Sequence, residues 1–69
     1  MSDRLVNRLR ELRADRDLTQ AALAELAGVS RKTINTVENG VFVPSTTLAL
    51  KLARALGCSV EAIFSLEQD

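Results

Sequence analysis

The residues best equipped for chemistry lie in one string, Ser30-Arg31-Lys32-Thr33-Ile34-Asn35-Thr36-Val37-Glu38-Asn39-Gly40. At about 100° per helical residue, Ile34 and Val37 point one way, while Lys32, Asn35, Thr36 and Asn39 point roughly opposite, with Arg31 to the side. A polar face of this kind is ordinarily only a solvated helix surface. One detail weighs against that reading. Arg31 and Lys32 sit in the first turn, at the positive end of the helix dipole, where each cation costs up to ~0.3–1 kcal/mol and where Asp or Glu is favoured. Two cations there imply that something anionic meets this end of the helix. Arg, Lys, Asn and Thr are also the side chains that reach base edges and phosphates.

The elements that must position these side chains are written between residues 19 and 40. Thr19 is a good N-cap, and Leu18 before it is placed to pack on Leu23 as a hydrophobic staple. Leu23, Leu26 and Ala27 form the expected buried side of a first short helix. Gly28 supplies a residue tolerant of positive φ for a sharp bend. Val29 and Ser30 repeat the opening, Ser30 as cap and Val29 as staple to Ile34, and Asn39-Gly40 ends the second helix.

This stretch resembles the helix-turn-helix of the Cro and lambda-repressor-like (Xre) family of DNA-binding regulators. The resemblance rests on Gln20, Leu23, Ala24, Ala27, Gly28, Val29, Ser30, Ile34, Val37, Glu38, Asn39 and Gly40, and continues through Pro44, Leu52, Ala53, Leu56 and Gly57. It spans residues 8 to 64, and the string SRKTIN followed by a short tail is similar to compact bacterial repressors that are little more than a DNA-binding domain. It implies an all-α, five-helix lambda-repressor-like domain, single over residues 1–69, with the motif at about 19–39. It also implies that Arg31 and Lys32 meet guanine edges, Asn35 an adenine edge or a phosphate, and Thr36 a thymine methyl. Gln20, Ser30, Thr33 and Asn39 are expected at phosphates. By the same resemblance Arg13 pairs with Glu38, tying the first helix to the recognition helix. The match has two departures: Ala22 stands where many members carry the Glu of a capping box, and Val41 and Val43 stand where the family loop is more polar.

Along the rest of the chain, Leu5, Leu9 and Leu12 recur at helical spacing and predict a first helix from about Asn7 to Asp15. Its start is open. Either Ser2 caps a longer helix, or Asn7 caps and Arg4 to Val6 is extended, an arrangement that compact repressors sometimes complete by pairing this segment with the C-terminal tail as a small sheet. Arg4, Arg8, Arg10 and Arg16 are read as solvated helix charges. In the loop from Gly40 to Pro44, the favoured reading is that Phe42 packs on the domain and the valines are incidental; the alternative is a dimer or partner contact. Ser45 is expected to cap a fourth helix running to about Leu56, with Gly57 after it and Leu48, Leu52, Ala53 and Leu56 toward the core. Leu50, Ala49 and Ala55 widen its apolar stripe, which implies cover on a second side. Ser59 caps a fifth helix, with Cys58 as a small buried hydrophobe. Val60, Ile63, Phe64 and Leu66 pack on the first and fourth helices or on a twin, before a frayed end at Glu67-Gln68-Asp69. Leu50, Phe42, Phe64 and Leu66 are the candidates for a dimer surface.

Composition excludes several classes. The 69 residues make one domain, whose small core would gain from a partner subunit. There is no histidine and one cysteine, Cys58, so a Cys/His metal site within one chain and His-based acid–base catalysis are both ruled out. No paired carboxylates or phosphate-cradling loop point to an enzyme, and Ser30 is better explained as a cap than as a nucleophile. No cofactor, metal or small-molecule ligand is expected. With no long apolar run and no signal peptide, a cytoplasmic protein without membrane contact is expected. The formal net charge is zero, awkward for a DNA binder, but no acidic residue occurs between Asn39 and Val60, where Lys51 and Arg54 are basic. The expected function is a regulator, by default a repressor, that binds double-stranded DNA as a homodimer on a near-palindrome with half-sites ~10 bp apart. A second regulatory protein is a conceivable further partner. The alternative is an antitoxin-like protein-interaction module; a long disordered tail would favour it, and the chain ends about five residues after the fifth helix.

Overall fold

The computed structural model describes residues 3–67. Among these residues the order is β1 (Leu5–Asn7), α1 (Leu9–Asp15), α2 (Gln20–Ala27), α3 (Arg31–Glu38), α4 (Thr46–Leu56), α5 (Val60–Ile63) and β2 (Phe64–Leu66). Hydroxyl side chains set four of the helix starts. Thr19, Ser30, Ser45 and Ser59 each accept a hydrogen bond from the backbone N–H three residues on, at Ala22, Thr33, Leu48 and Ala62. Each such cap contributes about 1 kcal/mol. Between α2 and α3 the chain reverses on Gly28, which holds φ 73° and lets Val29 donate to the carbonyl of Ala24.

The helices enclose one core. Leu9 of α1, Leu23 of α2, Ile34 and Val37 of α3, Leu52 of α4 and Ile63 of α5 are all 1% exposed or less. Side chains of this size contribute ~1.5–3 kcal/mol each on burial. α2 packs on both α3 and α4, and α1 reaches α3, so the helix pair is gripped from behind. Leu18, Val29 and Cys58 pack against the core as partly buried hydrophobes. Among the described residues no helix is long and apolar enough to cross a membrane.

The start of the chain takes the extended alternative. β1 pairs antiparallel with β2 in the register Leu5↔Leu66, Val6↔Ser65, Asn7↔Phe64. Helix α1 therefore begins at Leu9, and Asn7 Oδ1 accepts from the Leu9 N–H from its place at the end of the strand. Ser2, the other candidate cap, lies outside the described residues.

Several expectations are corrected. Leu26 is 58% exposed. The buried arc of α2 is set by Leu23, Ala24 and Ala27, and Leu26 stands roughly 110° from its centre at 3.6 residues per turn. α5 is a single turn, and the chain then extends, so Phe64 and Leu66 belong to a strand. Glu67 is not frayed: its N–H donates to the Arg4 carbonyl, continuing the ladder. Gln68 and Asp69 lie outside the described residues. Arg16 is not merely solvated, because its guanidinium donates to the Leu56 and Leu12 carbonyls, joining the ends of α1 and α4. Phe42 does not pack away; it is about half exposed, with Val41 and Val43 more open still.

Candidate nucleic-acid interface

The polar surface of α3 is held from within by one carboxylate. Glu38, in the last turn of α3, has a side chain with no accessible surface. Arg13 of α1 meets it with Nε on Oε2 at 2.7 Å and Nη2 on Oε1 at 3.3 Å, and its Nη1 donates to the Leu18 carbonyl. Gln20, the first residue of α2, donates Nε2 to Oε1 at 3.1 Å. Arg10 adds a longer contact to Oε1 at 3.4 Å and a firmer one to Asn39 Oδ1 at 2.9 Å. Burial pushes the Glu38 carboxyl up. Hydrogen bonds from Arg13 and Gln20, the charge of Arg13 and the contact from Arg10 outweigh it and hold the pKa below the ordinary value. The carboxylate thus stays charged and fastens α1, α2 and α3 at one point. Arg10, read from sequence as solvated, belongs to this cluster.

Outside the cluster, Arg31, Lys32 and Asn35 of α3 are exposed and line an open depression together with Gln20. Among the described residues neither Arg31 nor Lys32 has a hydrogen-bond or ion-pair partner. Two cations therefore stand free at the helix end that repels them. Ser30 and Thr33 face one another at the start of α3, their hydroxyls 2.9 Å apart, with Ser30 capping the Thr33 N–H. Thr36 is half-buried, and its hydroxyl donates to the Thr33 carbonyl. Asn39 is exposed at the far end of α3 and donates Nδ2 to Asn35 Oδ1 at 3.3 Å. Of the residues singled out from sequence, Gln20, Arg31, Lys32 and Asn35 are brought around one depression. Ser30 and Thr33 lie at its helix-start side, and Asn39 and Thr36 lie farther along.

A second surface is apolar. Val43, Pro44, Ala49, Leu50, Leu5, Val60 and Phe64 line a groove between the α3–α4 loop, α4 and the terminal sheet. Leu50 is 57% exposed on its wall, and Leu66 is comparably open beside Leu5, its cross-strand partner. Phe64 differs from the other dimer candidates. It is 9% exposed and part of the core, because the strand after α5 turns its ring inward.

The helix-turn-helix family model matches residues 9–63. An HTH-type transcriptional regulator of Methanocaldococcus jannaschii is 46% identical over 63 residues, 91% of this chain and 96% of that one. The restriction-modification controller protein C.AhdI from Aeromonas hydrophila is 42% identical with a TM-score of 0.77, covering 80% of this chain and 83% of that one. The DNA-binding domain of the phage P22 c2 repressor is 35% identical with a TM-score of 0.75, covering 78% and 71%.

Proposed function

The chain belongs to the helix-turn-helix, Xre-like family of DNA-binding transcriptional regulators, and from that premise we propose that it is a repressor that binds a near-palindromic operator as a homodimer. α3 lies in the major groove and α2 crosses its mouth. Arg31 and Lys32 take guanine edges, Asn35 a further base edge and Thr36 a thymine methyl. Gln20, Ser30, Thr33 and Asn39 hold phosphates, where the open N–H groups at the starts of α2 and α3 assist. The observation that carries this reading is the pair of cations in the first turn of α3 that have no partner among the described residues, on a helix locked from behind by Arg13 and Glu38. Anionic ligand is what turns their dipole penalty into a gain.

Homodimerisation is supported by the apolar surface. Val41, Phe42, Val43, Leu50 and Leu66 are all open, on a chain whose whole surface is 4593 Å². A standard interface would cover about 800 Å² of each partner, and Val43 and Leu50 supply exposed apolar side chains to one shared groove from which it could be built. The α3–α4 loop follows the reading helix directly, so a twin seated there sets the two α3 helices on either side of a two-fold axis. Acting by occupancy alone, without catalysis, the protein would work beside its DNA in the cytoplasm.

Selection from a random-sequence DNA library at two salt concentrations tests this reading. An enriched near-palindrome with half-site centres about 10 bp apart is expected. Salt-sensitive binding with no enriched motif would sink the base-reading assignment, since phosphate contact alone has that signature.

A further inference from the structure

The amide groups on the reading surface are not free to turn. Arg10 is a donor only and Glu38 an acceptor only, so each fixes the sense of any amide that meets it. Asn39 must turn its oxygen to the Arg10 guanidinium, 2.9 Å away. Its nitrogen then faces Asn35, 3.3 Å away, and Asn35 must answer with its own oxygen. Asn35 then turns its N–H2 group outward with both hydrogens free, while its oxygen, held toward Asn39, keeps one lone pair.

We infer that Arg10, on α1, is a specificity-determining residue: through Asn39 it holds the Asn35 oxygen inward and turns the Asn35 N–H2 toward an acceptor on a base edge. In the major groove guanine presents acceptors at N7 and O6, whereas cytosine presents the N4 donor. A purine, whose N7 accepts from the outward N–H2, is therefore favoured under Asn35 and cytosine disfavoured on the contacted strand. Arg10 acts as a positioning residue, touching no base. The inference rests on the DNA-reading face proposed above.

Library selection with the full chain, run in parallel on variants, separates the two. Asn35→Ala marks the base pair that Asn35 reads. At that pair Arg10→Met is expected to flatten the wild-type preference about three- to tenfold, the range one hydrogen bond supplies, with other positions unchanged. Arg10→Lys, a donor still, is expected to restore it. Asn39→Asp, acceptor-only, would draw the Asn35 nitrogen inward and move the preference toward bases that present a donor. Thermal melting of each variant reports whether it is folded; Arg10 is 63% exposed, so Arg10→Met should melt close to wild type. An unchanged preference in Arg10→Met overturns the inference. So does an even loss of affinity at all positions, or an Arg10→Lys variant that behaves like Arg10→Met. A wild-type protein that enriches no motif would instead overturn the reading face itself, and the inference with it.

Discussion

Gln20 Nε2 lies 3.1 Å from the Oε1 of Glu38, so the residue expected at a phosphate also touches the carboxylate buried behind the reading helix. An amide nitrogen has two hydrogens, and with one on Glu38 the other is left for an anionic oxygen. The carboxylate thereby orients the side chain that would set the helix pair on the DNA backbone. Gln20→Ala is expected to weaken binding by a similar factor on every sequence, with no change in base preference. Equilibrium binding to a set of single-base operator variants reads this directly. A changed order of preference among those variants would show that Gln20 reads bases.

Removing Arg13 should be far more damaging than removing both members of its pair. Arg13→Met leaves an enclosed carboxylate without its nearest partner, a change that costs ~3–5 kcal/mol in buried pairs. In a domain of this size that is a large share of the total stability. The double variant Arg13→Met with Glu38→Leu has no such stranded charge and is expected to melt well above the single one. Melting temperatures of the two, measured side by side, decide the matter.

The same carboxylate gives the fold an acid limb. Because Glu38 is held below its ordinary value of 4.5 in the folded state, its contribution is complete above that value. It is lost as the pH falls through the depressed folded pKa. Chemical denaturation from neutral pH to below 4.5 is therefore expected to show stability falling on acidification. Glu38→Gln should be less stable at neutral pH and show a shallower fall. A Glu38→Gln variant with an undiminished slope would assign the acid limb to other carboxylates.

Much of this fold was legible because its signals are local. The four hydroxyl caps, the bend at Gly28 and the core positions Leu23, Ile34 and Leu52 follow from spacing within one or two turns. Arg13 and Glu38 were found through resemblance, and the burial of Glu38 supplied the physical reason. The parts not legible depend on which distant residues meet. Nothing near Arg10 or Arg16 in sequence names Asn39 or Leu56 as a partner; packing of α1 on α3 and the meeting of the ends of α1 and α4 bring them within reach. Strands of three residues carry too little alternation to separate from a helix start or a tail, so the pairing of β1 with the C-terminal tail was one of two alternatives. Leu26 misled because apolar character at helical spacing defines an arc only to within a residue at its edge.

On the reading surface, Arg31→Ala is expected to lose ~1–3 kcal/mol on the selected operator and to relax preference at the base pair it meets. Arg31 and Lys32 make no bonds within the described chain, so neither substitution should lower the melting temperature. Relief of the dipole penalty should raise it slightly. Binding and melting thus move in opposite directions, a combination that damage to the fold cannot produce. Unaltered operator binding by Arg31→Ala would remove that residue from the base-reading set.

The apolar groove leads to the last expectation. Leu50 is exposed in the single chain, so a charge there costs the isolated fold little. In a dimer closed over this groove the same charge would be buried without a partner, which is strongly unfavourable. Leu50→Glu is therefore expected to turn a concentration-dependent dimer into a monomer in sedimentation equilibrium. Its far-ultraviolet spectrum should be unchanged, and its melting temperature should lose its dependence on protein concentration. On DNA the variant should occupy each half-site independently and weakly, because the linkage that raises the effective concentration of the second α3 is gone. Leu26→Glu, on α2 outside the groove and as exposed as Leu50, controls for the added charge alone in sedimentation. If Leu50→Glu still sediments as a dimer, the twin docks elsewhere, and the open loop from Val41 to Val43 becomes the next surface to charge.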